Sequence, residues 1–242
     1  RPFFRRIQKA GINWRSSKEI GNYISLFEKK TVLVSVASPR LVKPSLITKT
    51  FSNVGNKQYI IGHMPFSVDG KKVIEENISK TVTIIRDPRD MAISMINHCR
   101  TRPLHHAHKY LFNTLDSEND RLSAVLSGYD NQFGSLIGIN QMYSSMMKWQ
   151  DEVDNITLKF EDLVGLRGGG NPEDQIFSLN ALINYLGLGD KFDKDKISII
   201  AKNSFGVSGT FRKGKIGAWA KVFSDKDKKI FKSKIGDLLI DL

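Results

Sequence analysis

The stretch from residue 80 to residue 98, KTVTIIRDPRDMAISMINH, constrains the fold more than any other part of the chain. It opens with β-branched residues at 81–85, a pattern typical of a strand buried on both faces. Arg86 ends this strand. Asp87 then has the side chain of a helix cap, and Pro88 fits the first helical position. The pattern predicts a strand, a tight corner and a helix.

Such a corner suits an anion. Arg86 would stand at the carboxyl end of the strand, beside the free N–H groups of the helix start, where open α/β sheets bind anionic ligands. Ser94 follows the cap by two helical turns and lies on the same face of the helix. An arginine and a hydroxyl that converge on one point indicate a phosphate clamp. A solvated arginine at an ordinary corner is the alternative.

The segment RDPRDMAIS resembles the 3′-phosphate-binding segment of sulfotransferases that use 3′-phosphoadenosine 5′-phosphosulfate (PAPS). In that family an arginine, and a serine eight residues later, hold the 3′-phosphate of the donor. They match Arg86 and Ser94 here. The resemblance implies an α/β, P-loop-NTPase-like three-layer fold, with a central, mostly parallel sheet and helices on both faces.

A second basic motif lies in TFRKGKIGAWAKVFSD, residues 210–225. Arg212 and Lys213 are adjacent cations beside Gly214, which lets the backbone approach a ligand closely. A solvated, lysine-rich loop is the alternative. The stretch resembles the family's C-terminal R-K-G-x-x-G-x-W motif. The resemblance implies that the two cations and the Gly214 N–H share the 3′-phosphate with the first motif.

His63, in YIIGHMPFS, is the candidate catalytic group. Histidine is the usual general base because its ordinary pKa lies close to neutral pH, although a lone histidine is more often structural. The stretch resembles the family's GH-x-P segment, whose histidine is the catalytic base. The resemblance therefore implies that His63 takes a proton from the acceptor.

Two more segments resemble the family's adenosine site. KFEDLVGLRGGG, residues 159–170, is similar to the (Y/F)-E-D-L segment, whose aromatic ring packs on the adenine. Phe160 keeps that ring without a hydroxyl. NSFGVSG, residues 203–209, is similar to the T-S-F stretch that lines adenosine, which implies contacts from Ser204 and Phe205.

One family element is not found where the family has it. Sulfotransferases carry a 5′-phosphosulfate loop near the N-terminus, roughly K/R-S-G-T, whose lysine helps to stabilise the leaving phosphate. We expect this loop and its strand before Arg1, so that residues 1–242 form a single, N-terminally truncated sulfotransferase domain. We expect the truncated chain alone to be inactive.

Hydrophobic periodicity places the remaining elements. Strands are predicted at 31–36, 58–63 and 155–160, and helices at 16–30, 136–150, 172–186, 191–203 and 225–239. Strands that alternate with helices imply a mostly parallel sheet. The stretches 39–56 and 101–135 are expected to be irregular and to shape the acceptor pocket.

Composition limits the partners. Lys and Arg number 37 against 25 Asp and Glu, and the formal charge of +12 favours an anionic partner such as nucleic acid, an acidic membrane or a phosphorylated small molecule. No apolar run reaches the ~20 residues of a membrane-spanning helix. The single cysteine, Cys99, excludes an internal disulfide and suits a reducing compartment, so a cytoplasmic location is predicted.

The run HHAH, residues 105–108, raises the question of a metal site. Helical spacing would place His105 and His108 on one face, but the sequence offers no cysteine or third ligand at a suitable position. A solvated surface cluster is the simpler interpretation. The implied sulfotransferase chemistry needs no metal either.

Taken together, these motifs predict a PAPS-dependent sulfotransferase that moves a sulfuryl group to an acceptor hydroxyl or amine. The acceptor is expected to be a small molecule or a carbohydrate, and no nucleic-acid partner is predicted. A P-loop-like kinase that uses ATP is the alternative within the enzymes. A basic nucleic-acid-binding module, with cations and aromatic rings along one surface, is the alternative of another class.

Overall fold

Helices and strands alternate along most of the chain. The computed structural model describes residues 5–6, 30–35, 39–55, 58–152, 154–206 and 214–236. The strands in these ranges are β1 (Arg5–Arg6), β2 (Val32–Val34), β3 (Arg40–Val42), β4 (Gln58–Tyr59), β5 (Thr81–Ile85), β6 (Gly128–Asn131), β7 (Gly134–Ile137) and β8 (Asn155–Lys159). The helices are α1 (Pro44–Phe51), α2 (Val68–Asn77), α3 (Pro88–Arg100), α4 (His106–Asn113), α5 (Glu118–Ser127), α6 (Ile139–Glu152), α7 (Phe160–Leu163), α8 (Gly165–Gly168), α9 (Pro172–Tyr185), α10 (Lys194–Ser204) and α11 (Asp225–Ile235). Short 3₁₀ helices cover Gly189–Lys191 and Ala218–Lys221.

Parallel pairing between β5 and β8 forms the centre of the candidate site. Thr81 lies opposite Asn155 and Ile85 lies opposite Lys159, so both strands end at the same edge. β1 and β4 also pair in parallel, whereas β2–β3 and β6–β7 are antiparallel. Helix α6 packs against both β5 and β8. This arrangement confirms the predicted α/β fold; among the described residues, the parallel pairing is confined to these two pairs.

The largest hydrophobic cluster fixes helix α3, which follows Arg86. The side chains of Ile93 and Ile96 on α3 pack with Leu111 of α4, Leu126 of α5 and Phe231 of α11. Burying one such side chain contributes about 1.5–3 kcal/mol. Helix α3 is therefore anchored in a hydrophobic core that α4, α5 and α11 share.

Local capping rules predicted two helix starts correctly. Asp87 Oδ1 accepts the Arg89 N–H at 2.8 Å, with Pro88 in the first turn of α3. Asn171 Oδ1 likewise accepts the Glu173 N–H at 2.9 Å at the start of α9. These side chains satisfy N–H groups that have no partner inside the helix.

Other expectations need correction. Val82 and Ile84 are 41% and 53% exposed, so β5 is not buried on both faces. Helix α6 packs on β5. The β-branched composition of a strand does not by itself reveal how many of its faces are covered. The strand predicted at 58–63 is limited to β4. Residues 60–67 belong to no strand or helix, and Pro65 within them has no N–H to donate.

The two stretches expected to be irregular are structured. Residues 101–135 contain α4, α5 and most of the β6–β7 hairpin, and residues 39–56 contain β3 and α1. Their helices have only 8 to 10 residues, too short for a clear helical period. The helix predicted at 16–30 lies outside the described residues, apart from Lys30.

Candidate functional site

Arg86 and Phe160 meet where β5 and β8 end. The guanidinium carbon of Arg86 lies 4.2 Å from the centroid of the Phe160 ring, a cation–π contact. Arg86 Nη2 also donates to the Lys215 carbonyl oxygen at 3.2 Å. Two motifs separated by more than a hundred residues are therefore in contact. Arg86 meets Phe160 because β5 and β8 run in parallel and end at the same edge. Arg86 meets Lys215 because the C-terminal segment folds back onto this edge.

The turn after β5 is tied to the turn after β8. The Asp87 N–H donates to Glu161 Oε1 at 3.0 Å. The Asp87 carboxylate also pairs with the Arg89 guanidinium, with Nη2 and Oδ2 2.6 Å apart. Glu161 therefore holds the start of α3 against the E-D-L segment, a role that sequence reasoning missed. The acid within E-D-L is the signal that could have found it.

The C-terminal motif is held against the same corner. The Ile216 N–H donates to the Gly168 carbonyl oxygen at 3.0 Å, and Lys215 Nζ donates to the Arg167 carbonyl oxygen at 2.7 Å. Gly214 has φ of 55°, in the left-handed region that favours glycine. A Cβ at Gly168 would lie 2.8 Å from the Gly214 carbonyl oxygen, so only glycine permits this approach.

The two principal cations of that motif, Arg212 and Lys213, lie outside the described residues, as does the stretch around Ser208. They directly precede Gly214, whose neighbours contact Arg86. Their predicted role stays a prediction.

Ser94 is exposed on α3, two turns after the Asp87 cap. It lies one turn beyond Asp90, and side chains four residues apart share one face of a helix. Asp90 contacts the segment around Trp219, so Ser94 lies on the side of α3 that faces the C-terminal motif.

Ser204 and Phe205 lie at the end of α10. The guanidinium carbon of Arg167 is 5.0 Å from the Phe205 ring centroid, and the Arg167 carbonyl oxygen accepts the Lys215 bond. Ser204 Oγ accepts from Gln175 Nε2 at 3.3 Å, and that amide also donates to the Leu163 carbonyl oxygen. Through α8 and α9, these residues join the corner that carries Phe160.

His63 is exposed and sits in a well-anchored backbone. Its carbonyl oxygen accepts the Ser35 N–H at 2.6 Å, which places His63 beside the end of β2. The next carbonyl, of Met64, accepts from Trp149 Nε1 at 2.8 Å, and the Phe66 ring lies edge-on to the same indole, 5.0 Å between centroids. Trp149 belongs to α6, which also packs on β5 and β8. One helix thus supports both the segment that carries His63 and the strands that end at Arg86 and Phe160.

The histidines of HHAH have structural contacts. His105 Nδ1 accepts the Ala107 N–H at 3.2 Å and so caps α4. Burial, followed by the charges of His106, His98 and Arg102, lowers the pKa of His105 to about 4, so its ring is neutral at pH 7. Among the described residues no group of three or more His, Cys, Asp or Glu side chains is placed to hold a metal ion.

Within the described ranges, no helix has the length and apolar character needed to cross a membrane.

The architecture defines a class. A comparison with solved structures gives 15 chains with significant similarity, and they include a sulfotransferase. This chain has a sulfotransferase-like α/β fold. Mouse sulfotransferase SULT7A1, solved in complex with PAP, is similar with a TM-score of 0.57 and 17% sequence identity, over 83% of this chain and 73% of that chain. No model of a known protein family matches the sequence, and no curated protein matches it.

Proposed function

We propose that this protein is a sulfotransferase that moves a sulfuryl group from PAPS to the hydroxyl or amine of a small-molecule or carbohydrate acceptor. One observation carries the proposal: the Arg86 guanidinium contacts both Phe160 and the carbonyl oxygen of Lys215, so the three predicted donor-binding motifs share one corner of the fold. The sulfotransferase-like fold and the PAP in the mouse structure support it. A cytoplasmic location remains our prediction.

The corner would hold the nucleotide end of the donor. Arg86, Ser94, Arg212, Lys213 and the Gly214 N–H would bind the 3′-phosphate. Cations and N–H groups that are fixed before the ligand arrives lose little free energy to rearrangement. One face of Phe160 is occupied by Arg86, so adenine would pack on the opposite face, with Ser204 and Phe205 nearby.

His63 would act at the other end of the donor. It would take the proton from the acceptor as the acceptor oxygen or nitrogen attacks sulfur. The bond between sulfur and the bridging oxygen would break, and the electron pair would stay on the leaving phosphate of adenosine 3′,5′-bisphosphate (PAP). Cations near that oxygen would stabilise the developing charge.

We propose that the chain itself carries those cations, beside His63. Ser35 joins the end of β2 to the His63 carbonyl, and the chain then passes through β3 to the start of α1. Arg40 and Lys43 lie on this path, and Lys43 is the N-cap residue of α1. A strand, a turn and a helix start that carry cations suit a phosphate. This location is an alternative to a loop before Arg1.

The double variant Arg40→Ala/Lys43→Ala tests this location. Turnover should fall by about 10–10²-fold, less than the 10²–10³-fold typical of a buried donor, because Arg40 is exposed. Binding of PAP should change little, since the 3′-phosphate contacts remain. Lys49→Ala, which removes a charge from the last turn of α1, is the control and should keep normal turnover. Normal turnover of the double variant would show that cations other than Arg40 and Lys43 stabilise the leaving phosphate.

Nucleotide selectivity tests the proposed function. Wild-type protein should bind PAP at least ~10²–10³-fold more tightly than adenosine 5′-monophosphate (AMP) at fixed salt. Each charge-assisted bond to the 3′-phosphate is worth about 1.5–3 kcal/mol, and loss of the phosphate leaves clustered cations unpaired. Calorimetric titration with both nucleotides measures this ratio. Equal affinities would contradict the sulfotransferase proposal.

The alternatives give different results in the same titration. A kinase would bind ATP tightly and would gain nothing from a 3′-phosphate. A nucleic-acid-binding module would bind neither mononucleotide tightly, and its affinity for nucleic acid would fall steeply with salt concentration.

A further inference from the structure

A buried acid links the two phosphate motifs. Asp90, in the first turn of α3, is only 2% exposed. Its Oδ2 accepts the Gly217 N–H at 2.8 Å and its Oδ1 accepts the Trp219 N–H at 2.9 Å. Withdrawing a carboxylate from water costs several kcal/mol unless both oxygens find donors. The C-terminal segment supplies these donors from its backbone.

The backbone of the C-terminal segment is shaped to reach Asp90. Gly217 has φ of 68°, a left-handed conformation that residues other than glycine adopt rarely. The short 3₁₀ helix Ala218–Lys221 begins immediately after it. Asp90 therefore accepts from the free N–H groups around a short helix start, as a capping carboxylate would, although it comes from a different part of the chain.

Two neighbours of Asp90 contact the same segment. The Arg89 guanidinium carbon lies 3.9 Å from the centroid of the Trp219 ring, and Arg86 Nη2 donates to the Lys215 carbonyl oxygen. The residues at the start of α3 thus hold the C-terminal segment through an ion-to-ring contact, a side-chain bond and two bonds to Asp90. Asp90 contributes two of these bonds, both to backbone N–H groups.

We propose that Asp90 is a positioning residue for recognition of the 3′-phosphate. It fixes residues 214–219 against α3, so that the Gly214 N–H and the Arg86 guanidinium can reach one phosphate. Asp90 is not proposed to touch the donor, and the inference rests on the proposed function. In the sequence, Asp90 gave only the ordinary signal of an acid in a first helical turn.

Whether the affinity for PAP rises or falls when Asp90 is replaced distinguishes positioning from simple charge repulsion. A negative charge close to an anion site repels the anion, so removing it would by itself tighten the binding of every phosphate ligand. Loss of positioning has the opposite effect, because the Gly214 N–H and the Arg86 guanidinium would no longer converge. It should weaken PAP more than AMP, since only PAP carries the 3′-phosphate.

Affinities of Asp90→Ala and Asp90→Asn for PAP and AMP test the proposal. Asp90→Ala should reduce the PAP-over-AMP preference at least tenfold. Asp90→Asn keeps one acceptor oxygen but presents an NH₂ group to the other backbone donor, so it should lose part of the preference in the same direction. Ile183→Ala in the separate α9–α10 cluster is the control for general destabilisation and should keep the preference. All titrations are made below the melting temperature of the least stable variant.

Hydrogen exchange supplies a second readout. In Asp90→Asn the amides of Gly217 and Trp219 should exchange faster, while amides in α9 stay protected. Wild-type preference for PAP that survives both Asp90 substitutions, or that rises, would overturn the positioning role alone. A wild type without any preference would instead overturn the proposed function, and the role of Asp90 with it.

Discussion

Replacing His63 with alanine in the full-length protein should lower turnover by roughly 10²–10⁴-fold, the range expected for loss of a general base. The binding of PAP should remain nearly unchanged. PAP binding should be spared because His63 and the predicted nucleotide contacts lie on different elements. The backbone around His63 is held by the end of β2 and by α6, whereas the predicted nucleotide contacts come from the ends of β5 and β8 and from the C-terminal segment.

Chemical rescue separates a missing base from a distorted loop. Added imidazole should restore part of the turnover of His63→Ala, because a small base can enter the space left by the side chain. The variant Trp149→Phe, which removes the N–H that donates to the Met64 carbonyl oxygen, is a useful comparison. It should lower turnover through the loop's position, without rescue by imidazole. Normal turnover of His63→Ala would show that the base lies elsewhere.

Local signals explain what the sequence could predict. The corner around Asp87 and the start of α9 at Asn171 depend on residues within one helical turn, and both were placed correctly. Alternation of strands and helices predicted parallel pairing, and β5 and β8 do pair in parallel, although the sequence did not predict which strands are neighbours. Such features need no knowledge of distant contacts.

Long-range pairs explain most of what the sequence could not show. The bonds from Asp90 to Gly217 and Trp219 span 127 and 129 residues, and no local pattern distinguishes this acid from other acids in first helical turns. The N-cap of α4 was hidden for another reason. His105 is an unusual cap, which works because its neutral Nδ1 accepts a bond.

The contacts around Arg86 show how the first and last motifs meet. The first motif supplies a strand end and a helix start, and the last motif lies across both. The Lys215 carbonyl oxygen accepts from the Arg86 guanidinium, Lys215 Nζ donates to the Arg167 carbonyl oxygen, and the Trp219 N–H donates to Asp90. The proposed site would therefore be incomplete without the C-terminal segment. Substitutions in that segment should change ligand binding more than the stability of the α3 core.

The double variant Arg212→Ala/Lys213→Ala should consequently lose most of the preference for PAP over AMP. If the two cations and Arg86 converge on one dianion, their removal costs ~3–5 kcal/mol of binding free energy, or roughly 10²–10³-fold in the affinity for PAP. Affinity for AMP should fall much less, because AMP has no 3′-phosphate for these cations to bind.

The lower net charge of the double variant could by itself reduce the preference for PAP over AMP. A variant with the same change in net charge tests this alternative. Lys226→Ala/Lys229→Ala deletes the same two positive charges from the exposed side of α11, so long-range attraction for anions falls equally. That control should keep the PAP-over-AMP ratio of the wild type. Titrations at two salt concentrations add a second check, because a direct phosphate contact is screened less than a distant charge. If both double variants reduce the ratio equally, Arg212 and Lys213 attract anions in general and the 3′-phosphate is held by other groups.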